Sequence, residues 1–145
     1  MIRKATRSDA EQIVALAAES GANSDLPVEP DKQAILTMCR QMIGNGSQFV
    51  MVSDNDGQLD ACVAAVAQPS FWYRGLQASV ILYYARKPGA GGLLLREFAK
   101  WVAGRPVIKV AVMEMEPGCD PRLLRVMRRL GFARQSTNLA YVRKT

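Results

Sequence analysis

The sequence predicts an α/β fold: one domain over residues 1–145, built on a central mixed, mostly antiparallel sheet of about six strands flanked by about four helices. Three observations predict it. Two helical-period segments come early, two β-rich runs then flank an Asp-Gly turn, and strand and helix alternate through the last third. There is no internal repeat, low-complexity tract or long charge block to mark a second domain.

Ile2 to Ala5 reads as a short strand, and Ser8-Asp9-Ala10-Glu11 as a capping box starting a helix to about Glu19, with Ile13, Leu16 and Ala17 inward and Gly21 ending it. Ala22 to Pro30, with Asn23, Ser24, Asp25 and two prolines, is loop chemistry. Asp31 to Ile43 resumes a helical period through Ile35, Cys39, Met42 and Ile43, stopped by Gly44 and Gly46. Gln48 to Ser53 and Leu59 to Ala67 form an antiparallel pair around Asp54-Asn55-Asp56-Gly57. Phe71-Trp72-Tyr73-Arg74-Gly75 is an exposed turn, and Ala78 to Tyr84 a central strand. Gly91 to Val102 is a helix closed by Gly104-Arg105-Pro106, and Val107 to Met113 a strand. Pro121 to Leu130 sets Leu123, Val126, Met127 and Leu130 against Arg122, Arg125 and Arg129, with Gly131 as cap; Asn138 to Arg143 is the last strand.

With 49% hydrophobic and 22% charged residues, the chain suits a folded soluble domain. A chain of this size buries about 68–70% of its unfolded surface, so it needs no disulfide or metal. It contains no histidine, which removes Ser-His and Cys-His nucleophile pairs and HExxH zinc sites. Cys39, Cys62 and Cys119 lack CxxC spacing and read as reduced, mostly buried thiols, so no metal and a cytoplasmic location are expected. No apolar run spans a bilayer and Met1 to Lys4 has no signal-peptide pattern, so no membrane association is expected. A net charge of +6 by itself points to an anionic partner, whether cofactor phosphates, nucleic acid or a membrane surface.

Arg86-Lys87-Pro88-Gly89-Ala90-Gly91-Gly92 joins a strand to a helix, where free N–H groups and the helix dipole suit phosphate oxygens. It is not a Walker A loop, since Leu93 stands where Lys is needed, and Leu94 replaces the third glycine of a dinucleotide fingerprint. Glu114, Glu116 and Asp120 form an acidic group after the following strand. A carboxylate there could attract a protonated amine and relay its proton through water, and Glu114 is the preferred base.

Arg86-x-x-Gly89-x-Gly91, with the element order, the start Ile2-Arg3-Lys4-Ala5-Thr6 and Arg129-Leu130-Gly131-Phe132 near the end, resembles the GNAT superfamily of acyl-CoA-dependent N-acetyltransferases over nearly the whole chain. The compact form loosely resembles GNAT-like proteins encoded by bacteriophages. The resemblance implies transfer of an acetyl group from the cosubstrate acetyl-CoA to a primary amine, on a small molecule or a protein, by direct attack in a ternary complex. It implies a CoA pyrophosphate at Arg86, Lys87, Gly89, Ala90, Gly91 and Gly92. It also implies a pantetheine arm along Leu82, Tyr83 and Tyr84, between splayed fourth and fifth strands, and an oxyanion at a free strand N–H. Tyr83 and Tyr84 must face opposite ways, so at most one lines the cleft. The family's acid tyrosine position is Met127 here, leaving Cys119, water or one of the two tyrosines as substitutes. Two other readings stay open: a non-catalytic CoA-binding protein acting through a protein partner, and a basic nucleic-acid binder, the least favoured. A homodimer also stays open.

Overall fold

The computed structural model describes all residues except Asp25, Pro27, Pro117, Lys144 and Thr145, and only the backbone of Pro88. Part of the loop expected from Ala22 to Pro30 therefore lies outside the described residues. In chain order the elements are β1 (Ile2–Lys4), a 3-10 turn (Arg7–Asp9), α1 (Ala10–Ala22), α2 (Lys32–Met42), β2 (Phe49–Asn55), β3 (Gln58–Pro69), β4 (Leu76–Ala85), α3 (Pro88–Ala103), β5 (Ile108–Val112) and α4 (Pro121–Arg129). No helix among the described residues is long and apolar enough to cross a membrane.

The sheet runs β1-β2-β3-β4-β5, antiparallel except for the parallel β4–β5 pair that α3 connects. The Asp-Gly step makes the expected turn: Asp56 has φ 52° and Gly57 φ 90°, and the Asp54 carboxylate accepts from the Gly57 N–H at 2.7 Å. Each face of the sheet carries a core. On one, Ile13 and Leu16 of α1 and Cys39 and Met42 of α2 close over Val52, Leu59, Cys62 and Ala64. On the other, Leu94 and Phe98 of α3 lie on Phe49, Val63, Ala65 and Ala78, with Phe98 stacked against Phe132 at 5.8 Å.

Three expectations are corrected. The capping box sits two residues earlier: Thr6 opens a 3-10 turn before α1, and the carboxylate of Asp9, the buried last residue of that turn, accepts from the Thr6 N–H at 2.7 Å. Gly21 lies inside α1, which ends at Ala22; Pro30 packs where a Gly21 side chain would stand, so the glycine there makes room for Pro30 rather than ending the helix. Asn138 to Arg143 is not a strand: the segment makes no ladder with β5, and Leu139 and Tyr141 are exposed. The described sheet thus has five strands, and β5 is an edge.

Candidate active site

Pairing between β4 and β5 covers only Leu76 to Ser79, ending at Ser79 opposite Val112, while β4 continues to Ala85. Beyond that point, where β5 has ended at Val112, β4 has no strand partner on this side among the described residues, which leaves a gap. The Arg86 N–H donates to the Asp60 carbonyl of β3 at 2.8 Å. By strand alternation the N–H groups of Tyr83 and Ala85 then face away from β3, into the gap.

A bulge sets which side chains flank the gap. Ala64 pairs with Leu82 and Ala65 with Val80, so Ile81 is the extra residue. Before it, Leu76, Ala78 and Val80 face α3; after it, Tyr83 and Ala85 do, and Leu82 and Tyr84 face α1 and α2. Tyr83 and Tyr84 do point opposite ways. Tyr83 packs beneath α3, where burial pushes its phenol up, keeping it protonated. Tyr84 lies on the other side, its hydroxyl 3.4 Å from the Asn23 amide donor.

The turn after β4 differs from the loop expected, because α3 begins at Pro88 and takes in Gly89, Ala90, Gly91 and Gly92. Pro88 at the first helical position was the missed signal. No side chain caps this helix, so the N–H groups of Gly89 and Ala90 lack an intrahelical partner. A Cβ at Gly89 or Gly92 would meet no atom within 4 Å. One at Gly91 would stand 2.1 Å from the Tyr83 hydroxyl oxygen, so Gly91 is bare to admit Tyr83.

The Arg86 guanidinium turns to α1, pairing with Glu19 (Nε to Oε2 2.9 Å) and donating to the Leu59 carbonyl at 3.1 Å. The pair holds the Glu19 carboxyl below its usual range, with Tyr84 assisting. Glu19 lies far from Arg86 in sequence, and nothing local signals it. Lys87 is exposed beside the uncapped N-terminus.

The acidic residues after β5 divide by role. Glu114 is exposed and makes no side-chain hydrogen bond among the described residues, whereas Glu116 accepts from the Ser24 hydroxyl at 2.7 Å, joining this loop to the end of α1. Asp120 caps α4, accepting from the Arg122 N–H at 2.9 Å and pairing with the Arg122 guanidinium, which holds its carboxyl low. Cys119 is half-buried in the same loop; Cys39 and Cys62 are buried, and burial pushes the Cys62 thiol up to about 12. Met127 is wholly buried on the inner face of α4.

No protein-family model and no curated protein matches the sequence. Solved structures do. A predicted acetyltransferase with acetyl-CoA from Clostridium acetobutylicum superposes with a TM-score of 0.72 at 15% identity, covering 99% of this chain and 95% of the other. Ribosomal-protein-alanine N-acetyltransferase from Brucella melitensis gives 0.72 at 22% identity, covering 90% and 83%. An aminoglycoside acetyltransferase from an uncultured soil metagenomic sample, in complex with sisomicin, gives 0.69 at 10% identity, covering 100% and 95%. By these superpositions over nearly its whole length, the chain has the fold of the GNAT-type acetyltransferases.

Proposed function

We propose that the protein is an acetyl-CoA-dependent N-acyltransferase that acts on a primary amine in a ternary complex. The observation that carries this reading is the conjunction of the gap between β4 and β5 with the uncapped start of α3 at its mouth. The Gly89 and Ala90 N–H groups and Lys87 hold the pyrophosphate; Gly89 and Gly92 leave its approach open. Gly91 and Arg86 act indirectly, by seating Tyr83 and by tying the end of β4 to α1. The pantetheine arm lies along Leu82 to Ala85, and a β4 N–H facing the gap receives the thioester oxygen as it gains charge.

Glu114 accepts, through water, the proton that the acceptor ammonium must lose. The amine lone pair then forms the C–N bond, the nitrogen gives up a second proton to water, the C–S pair leaves on sulfur, and the thiolate takes up a proton to give CoA, leaving the neutral amide. Buried Met127 cannot supply that proton. A CoA thiol titrates near ~8.5, so water, Tyr84 or Cys119 suffices. The aminoglycoside and ribosomal-protein enzymes of the same fold support a small-molecule or protein amine as acceptor.

Gly89→Asp tests the reading, because an acid in the first helical turn favours the helix but repels a phosphate. Its melting temperature without ligand should match or exceed wild type, while the rise with acetyl-CoA disappears. Persistence of that rise would place the site elsewhere. Thiol release from acetyl-CoA with a panel of amines tests catalysis. In that assay Glu114→Gln should lose most rate at neutral pH and least at high pH, where the acceptor is already neutral. Equal loss at every pH would remove Glu114 from proton transfer, and no release with any amine would leave a CoA-binding protein.

A further inference from the structure

Beside the β4 bulge, on the face covered by α1 and α2, is a cavity of about 80 Å³ lined by Ala17, Met38, Cys39, Met42, Ile81 and Leu82 and floored by Val50 and Ala64. Its rim is open: Met38 is 39% and Ile81 41% exposed, while Cys39, Met42, Val50 and Ala64 are buried. Every lining residue is apolar. Such a space offers no charged, amide or hydroxyl side chain to a charged amine or a hydroxyl, whose desolvation there would go largely uncompensated. An aliphatic chain has no such need.

Position selects which chain. On the reading under Proposed function, the donor's arm enters at the start of α3 and runs along β4 from Ala85 toward Leu82. It must stop where β5 closes on β4 at Ser79. The thioester carbon therefore arrives beside Ile81 and Leu82, at the cavity rim. The bulge places Ile81 there as the unpaired residue, turned out of the period-two pattern of β4. An acetyl methyl would end at this rim and leave the cavity behind it unfilled. Met38 and Met42, unbranched and with several rotatable bonds, can adjust around a longer chain.

We propose that this cavity receives the acyl chain of the donor, and that the protein prefers short aliphatic acyl-CoA thioesters, propionyl to butyryl, over acetyl-CoA. The inference rests on the CoA reading above and adds the class of acyl group transferred.

Titration calorimetry with CoA, acetyl-CoA, propionyl-CoA and butyryl-CoA tests it. Each added methylene should tighten binding about fourfold, making butyryl-CoA about 15-fold tighter than acetyl-CoA. Ala64→Val fills the floor with a residue suited to a strand, and Ala17→Val fills the side wall from α1. In whichever of these is folded by circular dichroism, the gain with chain length should vanish while affinity for CoA itself stays within twofold. A flat series in wild type, with CoA bound, overturns the acyl pocket and leaves the CoA site standing. A gain that survives both fillings places the chain elsewhere. A flat acyl series with saturable hexylamine binding that Ala64→Val abolishes gives the cavity to the acceptor. Absence of binding by CoA and all its thioesters sinks the CoA reading itself.

Discussion

At Gly91 the space of the missing side chain belongs to Tyr83, whose hydroxyl oxygen stands 2.1 Å from where a Cβ would lie. With the hydroxyl gone, the nearest atoms would be the Ala85 Cβ at 3.0 Å and a Tyr83 ring carbon at 3.1 Å, contacts that small shifts relieve. Gly91→Ala should therefore lower stability by about 1–3 kcal/mol, and adding Tyr83→Phe should return at least half of it. Additive losses in chemical denaturation would show the two sites to be independent. A substitution at Gly91 thus reads core packing as much as cofactor binding, which is why Gly89 is the better probe. Met127 makes a similar point. It is buried, so a tyrosine there would have to displace core atoms before acting as an acid. The spacing from the Gly131-Phe132 pair identified the position, and the apolar stripe it shares with Leu123, Val126 and Leu130 already turned it inward.

Among the elements, β1 and the turn into α1 are held by one guanidinium. Arg3 donates to both oxygens of Asp9, at 2.7 and 2.9 Å, and to Asp54 at 3.1 Å. Asp9 is held below the usual carboxylate range chiefly by Arg3, and Asp54 by the Gly57 N–H and then Arg3. A carboxyl with a lowered folded-state value binds fewer protons folded than unfolded. Its stabilisation is complete above the unfolded value near ~3.9 and is lost as pH falls through the folded value. Asp9→Asn should cost about 1–3 kcal/mol at pH 7 and flatten the acid limb of the stability curve below pH ~4. An unchanged acid limb would mean that the Arg3 contacts do not persist in solution. Local chemistry made the helices and the hairpin readable, because capping and Asp-Gly act within a few residues, whereas the glycine segment after β4 reads as a turn and is in fact the start of α3. The bulge at Ile81 was not readable, since nothing in Ser79-Val80-Ile81-Leu82 marks it and only pairing with β3 creates it. That single residue decides which tyrosine faces which helix.

For the molecule as a whole, short connections join the β2–β3 and β3–β4 pairs and one helix crossover joins β4 to β5, whereas β1 reaches β2 only across α1 and α2. Outside this order stands the C-terminal segment, whose β-rich composition predicted a strand. Pairing depends on an edge elsewhere in the chain, and β5 leaves that edge open, with Val110 and Val112 part-exposed. Ending the chain at Ala133 should shift the melting temperature by about 2 °C or less, since residues 134–143 are largely exposed. A much larger fall would show that the segment docks on the sheet in solution. The two tryptophans divide between such regimes. Trp72 is 85% exposed on the turn between β3 and β4, whereas Trp101 lies against Phe49 and Phe98 with the Arg105 guanidinium 5.0 Å from its ring centre. The intrinsic fluorescence should accordingly split into a red-shifted emitter that iodide quenches readily, drawn by Arg74 and the net charge of +6, and a bluer emitter that iodide quenches less. Replacing Trp72 with phenylalanine would leave one optical reporter, half-buried on α3 against Phe49 and Phe98, whose emission follows the unfolding of that face alone.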